Sequence, residues 1–221
     1  MNKGYITPVG PVVLDSRLKP RPGSGGKRDC DWEDALGGGA SNVASQVVQL
    51  GLPVVPILLT GPDPQRLGVE ELVREQFPQA ICRPLLQQTR RSVLLGDHAY
   101  TLRAGLIDPI LPRDLHSTIA QSDITVLAPL AEEDTPFAAA VLAAASRGVL
   151  LLSEQQLRNP SVATALARQA WLVIVNQVEL VRWTGIDDTL QSIMWLPVAF
   201  QIGLCLEIPA CVTHWSCLDL F

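Results

Sequence analysis

At 221 residues, 48% apolar and 18% charged, the chain has room for one sizeable globular domain, or for one with a small appendage. Its net charge of −5 argues against nucleic acid or an anionic membrane as the main partner, because both favour a basic face. The five cysteines (Cys30, Cys82, Cys205, Cys211, Cys217) are odd in number and lack a CxxC spacing. That excludes a zinc ribbon and a disulfide framework, and it suits reduced thiols in a cytoplasmic protein.

The opening run MNKGYITPVGPVVLD is too broken by Pro and Gly to serve as a secretion signal. Its apolar part predicts a first strand over 5–14, ending at Asp15. Further strands are predicted over 54–59, 92–95, 124–127, 149–152 and 171–175. Several are continuous apolar runs, as expected of strands buried on both faces of a parallel sheet. Helices are predicted over 40–50, 68–77, 112–121, 136–146 and 161–170, with Pro112, Pro136 and Pro160 at or just before three of the starts. Val69, Leu72, Val73 and Phe77 share one face of the second helix, and Val43, Val47 and Leu50 share one face of the first. The alternation of strand and helix implies an α/β fold, a three-layer αβα sandwich around a mostly parallel sheet.

Residues 17–35, RLKPRPGSGGKRDCDWEDA, are polar and rich in Gly and Pro, which predicts a loop or an exposed flap. The GSGGKR stretch is not a P-loop, because Arg21 stands where the first Gly belongs and Arg28 where Ser or Thr belongs. From Trp183 to Phe221 there is no Lys or Arg, and three of the five Cys lie after Leu190. The uncharged run SIMWLPVAFQIGLCL is interrupted by Pro197 and followed by Glu207, so it predicts a buried helix rather than a membrane span. The break in composition also fits a change of reading frame.

Three places offer chemistry. In LGGGASNVASQVVQLG, Gly37, Gly38 and Gly39 precede a helix that carries Asn42. Glycines let a ligand approach the main chain, and the helix start offers N–H groups. A plain loop before a helix fits equally. Asp15, at a strand's carboxyl end, suits either two sugar hydroxyls or a turn. In VNQVELVRWTG, Asn176 and Glu179 form either a capping box or a pair that orders water around a Mg²⁺–phosphate group. His98, His116 and His214 have no metal-ligand spacing, and no GxSxG or HExxH occurs.

Taken in order, Asp15, the flap, GGGASN, TGPD near residue 60 and NQVE resemble the PfkB family of carbohydrate kinases, over roughly residues 5–190. The resemblance implies a ribokinase-like fold with a small β lid, and transfer of the γ-phosphate of ATP to a sugar or nucleoside hydroxyl with Mg²⁺. By that resemblance Asp15, Gly37, Gly38 and Asn42 bind the acceptor. Asn176 and Glu179 serve the nucleotide phosphates, with Glu179 at the metal. The lid is formed by about 17–35 with a strand pair at 92–103, and lids of this family also pair two subunits. On this view 1–190 is an incomplete ribokinase-like domain and 191–221 an atypical tail.

Two departures stand out. TGPDPQRLG has extra residues where the family runs G-x-D-x-x-G, and no GAGD, with its general-base Asp, is present. Loss of a general base alone costs on the order of 10²–10⁴-fold in rate. The expectation is therefore a truncated kinase of impaired activity with no catalytic residue of its own, or a non-catalytic sugar-binding or scaffolding protein. A dehydrogenase is disfavoured by the lack of GxGxxG with a following acidic residue.

Overall fold

The computed structural model describes residues 4–20, 30–95, 98–102, 106–152, 156–187, 201–205 and 215–217. The chain divides into two compact units, one of Pro8–Asp108 and one of Met1–Thr7 with Pro109–Phe221. Strand β1 (Ile6–Pro11) contributes to both.

In the Pro8–Asp108 unit, β1 pairs in parallel with β4 (Ile57–Leu59), which pairs in parallel with β5 (Ile81–Arg83). A second sheet has the order β3-β2-β6-β7, from β2 (Val13–Pro20), β3 (Cys30–Gly37), β6 (Arg90–Leu95) and β7 (His98–Leu102). The expected single strand over 5–14 is thus two strands in two sheets. The Val12 N–H donates to the Leu59 carbonyl at 3.1 Å, at the end of β4. From Val13 onward the partners are β3 and β6. An unbroken run of apolar residues hides such a change of partner, because both sheets accept it. The expected strand over 54–59 is likewise shorter, since Pro56 has no N–H to give to the ladder.

The polar segment expected as a loop or flap is a pair of antiparallel strands, with Ser16 opposite Asp34 and Asp15 opposite Ala35; residues 21–29 lie outside the described part. It lacks an apolar/polar alternation because polar residues occupy both faces. Ser16 donates to Asp34 Oδ1 at 2.6 Å and accepts from Arg91 Nε and Nη2 at 3.2 and 3.1 Å. Those bonds satisfy the fully buried Ser16 hydroxyl.

Helix α1 (Gly39–Gln49) buries Ala40, Ser41, Ala44 and Val47. The expected Val43–Val47–Leu50 face is therefore rotated, and Leu50 is 73% exposed at the C-cap. Small residues at 40, 41 and 44 are what allow this face to be the inner one. Helix α2 (Gln65–Gln76) starts three residues earlier than expected and buries Val69 and Val73, with Phe77 buried at its C-cap and Leu72 half-buried. Each such side chain contributes about 1.5–3 kcal/mol relative to exposure.

In the other unit, the strand order is β12-β11-β10-β9-β8-β1. The strands are β8 (Ile124–Leu127), β9 (Gly148–Leu151), β10 (Leu172–Asn176), β11 (Gln201–Cys205) and β12 (Trp215–Cys217). β8 to β11 run parallel and β12 antiparallel. Helices α3 (Arg113–Gln121), α4 (Thr135–Ala144), α5 (Pro160–Ala167) and α6 (Gln177–Thr184) alternate with these strands. Their buried faces carry Leu115, Ile119, Phe137, Val141, Leu166, Leu180 and Trp183. This is the helix-flanked, mostly parallel sheet implied by the alternation. The buried helix expected over 192–206 is corrected where it can be compared. Gln201–Cys205 is a strand, in register with Leu172–Asn176, and 192–200 and 206 lie outside the described residues. Among the described residues no helix is long and apolar enough to cross a membrane.

Candidate functional site

Asp15 stands third in β2, in the second sheet, rather than at the end of the first strand. It is half-buried, opposite Ala35 on one side and Ser92 on the other. Its carboxylate occupies the space that a Cβ on Gly37 would need. Asp15 and Gly37 thus lie against one another across β2 and β3, and a side chain at Gly37 would have to displace the carboxylate. Gly38 follows with φ 98° and ψ 149°, a backbone conformation essentially confined to glycine, and it is the N-cap of α1. A Cβ at Gly38 would also come within 2.6 Å of the Pro11 carbonyl oxygen. The Gly38 carbonyl accepts the first helical bond, from the Asn42 N–H at 3.0 Å. No side chain caps α1, and no acidic residue lies in its first turn. The Asn42 side chain is exposed on that turn with both a donor and an acceptor to offer. The glycine stretch links β3, whose Gly37 lies against Asp15, to the helix that carries Asn42.

The second pair lies in the other unit. Asn176 ends β10 and caps α6, with its Oδ1 accepting the Glu179 N–H at 2.8 Å. Glu179 Oε2 in turn accepts the Asn176 N–H at 3.1 Å, completing a capping box. The bland reading of NxxE is thus realised in full. Both residues are half-buried, Asn176 at the carboxyl end of a parallel strand and Glu179 in the helical turn that follows.

A hydrated Mg²⁺ is compatible with this donor set. Mg²⁺ keeps several waters and is held through one or two carboxylates plus substrate phosphates. Among the described residues, no group of three or more His, Cys, Asp or Glu is gathered that would make an all-protein metal cage.

Gln156 escaped the sequence reading. It begins a 3₁₀ turn (Gln156–Arg158) after β9, is 2% exposed, and its side-chain oxygen has no hydrogen-bond partner. Nothing in its sequence context, SEQQLRNP, signals burial.

The sequence matches no family model, and no curated protein matches it significantly. Solved structures do match in fold. Fructokinase with bound ATP from Xylella fastidiosa superposes with a TM-score of 0.69 at 16% identity, covering 97% of this chain and 71% of that one. Arabidopsis thaliana ribokinase complexed with ribose and ATP gives 0.68 at 15% identity, covering 92% and 72%. A carbohydrate kinase from Agrobacterium tumefaciens gives 0.64 at 19% identity, covering 92% and 69%. The structural neighbours are PfkB and ribokinase-type carbohydrate kinases, and the fold of this chain is ribokinase-like.

Proposed function

We propose that this chain is a sugar-kinase-type protein that binds a sugar or nucleoside at Asp15, Gly37, Gly38 and Asn42, and Mg²⁺–ATP at Asn176 and Glu179. The observation that carries the reading is the seating of the Asp15 carboxylate on Gly37, one residue before the glycine that opens the helix of Asn42. A carboxylate accepts from two neighbouring hydroxyls, and an amide both gives and accepts, so the pair suits a polyol better than a pyrophosphate. Structural likeness to kinases that bind ribose and ATP supports the same reading.

In this reading Asp15 orients the acceptor's hydroxyls, Gly37 leaves room for its carboxylate, and Gly38 turns the chain into α1. Asn42 fixes the sugar's rotation from the helix side. Glu179, held by its cap, would be the carboxylate that holds the hydrated metal. Bound Mg²⁺–ATP supplies the phosphoryl group and the charge that offsets its developing negative oxygens. The second sheet is proposed to cover the acceptor as a lid and to pair two copies. No residue of the 221 matches the Asp of GAGD, so no general base is assigned. A second reading is a sugar-binding protein without turnover.

The test is calorimetric titration of the chain with D-ribose, D-fructose and adenosine, and separately with Mg²⁺–ATP, alongside a coupled assay for ADP release. Binding of an acceptor that is lost in Asp15→Asn, with Mg²⁺–ATP binding and acceptor-dependent ADP release, supports the kinase. Acceptor binding without ADP release supports the second reading. Failure to bind any acceptor sinks both.

A further inference from the structure

The turn that follows β4 is tied to the start of β6 by more bonds than a surface connection needs. The Asp63 Oδ2 accepts the Thr89 N–H at 2.5 Å. The Thr89 hydroxyl accepts the Gly61 N–H at 3.0 Å, and Thr89 is 5% exposed. A Cβ on Gly61 would overlap the backbone of Gln88 and Thr89, so the two segments lie against one another with no side chain between them. One step earlier the Thr60 carbonyl accepts the Leu86 N–H at 2.9 Å. The stretch Thr60–Asp63 is thereby laced to 86–89.

Thr89 immediately precedes β6, an inner strand of the second sheet. Across β2 and β6, Val13 stands opposite Arg90 and Asp15 opposite Ser92. Whatever holds Thr89 in place therefore sets the height of β6, and β6 sets the height of Asp15. We infer that Asp63 is a positioning residue, whose carboxylate anchors β6 to the end of β4 and, through the β2–β6 register, holds Asp15 at the acceptor. The anchoring stands on the bonds above, and its consequence for the acceptor rests on the function proposed in the preceding subsection. A charged acceptor on a backbone N–H is among the stronger hydrogen bonds, and it has no water to replace it where the donor is buried.

α2 begins at Gln65, with Pro64 as its N-cap, so Asp63 lies outside the helix and faces Thr89.

The experiment compares the full chain with Asp63→Ala and Asp63→Asn by amide hydrogen exchange and by titration with D-ribose and D-fructose. In Asp63→Ala, peptides covering 88–95 and 11–17 exchange faster by about tenfold or more, the factor expected for loss of a charged hydrogen bond. Peptides covering α5 and α6 keep the wild-type rate. Asp63→Asn retains an acceptor oxygen and restores most of the protection. Sugar affinity falls in Asp63→Ala and recovers in Asp63→Asn, while Mg²⁺–ATP affinity is unchanged in both. Faster exchange confined to 88–95, with 11–17 at the wild-type rate, overturns the inference. So does unaltered sugar affinity alongside faster exchange. A wild-type chain that binds neither sugar counts against the proposed substrates, and the exchange of 11–17 still decides the anchoring.

Discussion

The Asp15 carboxylate rests where a side chain on Gly37 would have to stand. The two positions are therefore coupled, and Gly37→Ala should displace the Asp15 carboxylate. A destabilisation of about 1–3 kcal/mol is expected, the usual range for an overpacked site. Urea unfolding of Gly37→Ala, Asp15→Ala and the double variant measures it. The double variant should be more stable than the sum of the single effects predicts, because removing the carboxylate makes room for the methyl group. Additive losses would contradict the contact.

Gly38 presents a different constraint, one of backbone rather than space alone. At φ 98° and ψ 149° it lies where an L-residue is strained. Gly38→Ala should cost about 1–3 kcal/mol. Since the Gly38 carbonyl accepts the first bond of α1, protection of the Asn42 amide should fall with it. A variant as stable as wild type by chemical denaturation would refute this.

The capping box lets the structural and metal roles of one residue be separated. Asn176→Ala should cost about 0.5–2 kcal/mol, since it removes the N-cap acceptor. Glu179→Gln keeps a capping-box side chain and removes the charge, so thermal stability should change little while Mg²⁺–ATP affinity falls. Equal losses of stability in both variants, with nucleotide affinity intact in Glu179→Gln, would leave the cap as the motif's whole role.

Burial holds the Cys82 thiol above its ordinary value of 9.0, to about 11, with Glu70 adding to the rise and Arg74 and Arg83 opposing it. The unfolded thiol ionises first, so the stability it contributes is present below pH 9 and is lost as pH climbs toward 11. Cys82→Ser should flatten that alkaline limb in a pH series of unfolding midpoints. The native thiol should also react slowly with iodoacetamide at pH 7.5, because the thiolate is the nucleophile.

Gln156 carries the opposite expectation from most core polar residues. Its side-chain oxygen is buried without a partner, so Gln156→Leu should be neutral or stabilising by up to about 1–3 kcal/mol, the cost of leaving such a group unmet. Marked destabilisation of the leucine variant in differential scanning calorimetry would mean that an internal water satisfies the oxygen.

The strands and helices that carry one buried face were legible in the sequence, and they came through with small shifts at their ends. β8 over Ile124–Leu127 and the α2 stripe of Val69, Val73 and Phe77 illustrate this, because periodicity reports burial directly. The order of Asp15, GGGASN and NQVE was legible too, and with it the fold. The second sheet was less so. β3 has no regular apolar/polar alternation, and its pairing with β2 is not revealed by any pattern within CDWEDALG.

Short-range chemistry was thus determined by the sequence itself. Glycines precede a helix start, and an Asn lies three residues before a Glu, so the capping box could be read because its partners are local. What only the tertiary structure decided is which distant residues meet. Asp15 sits on Gly37 because β2 and β3 run antiparallel, and Thr89 reaches Asp63 because β6 starts beside the end of β4. Such contacts depend on strand register, and register is set by the packing of whole sheets rather than by any one stretch of chain.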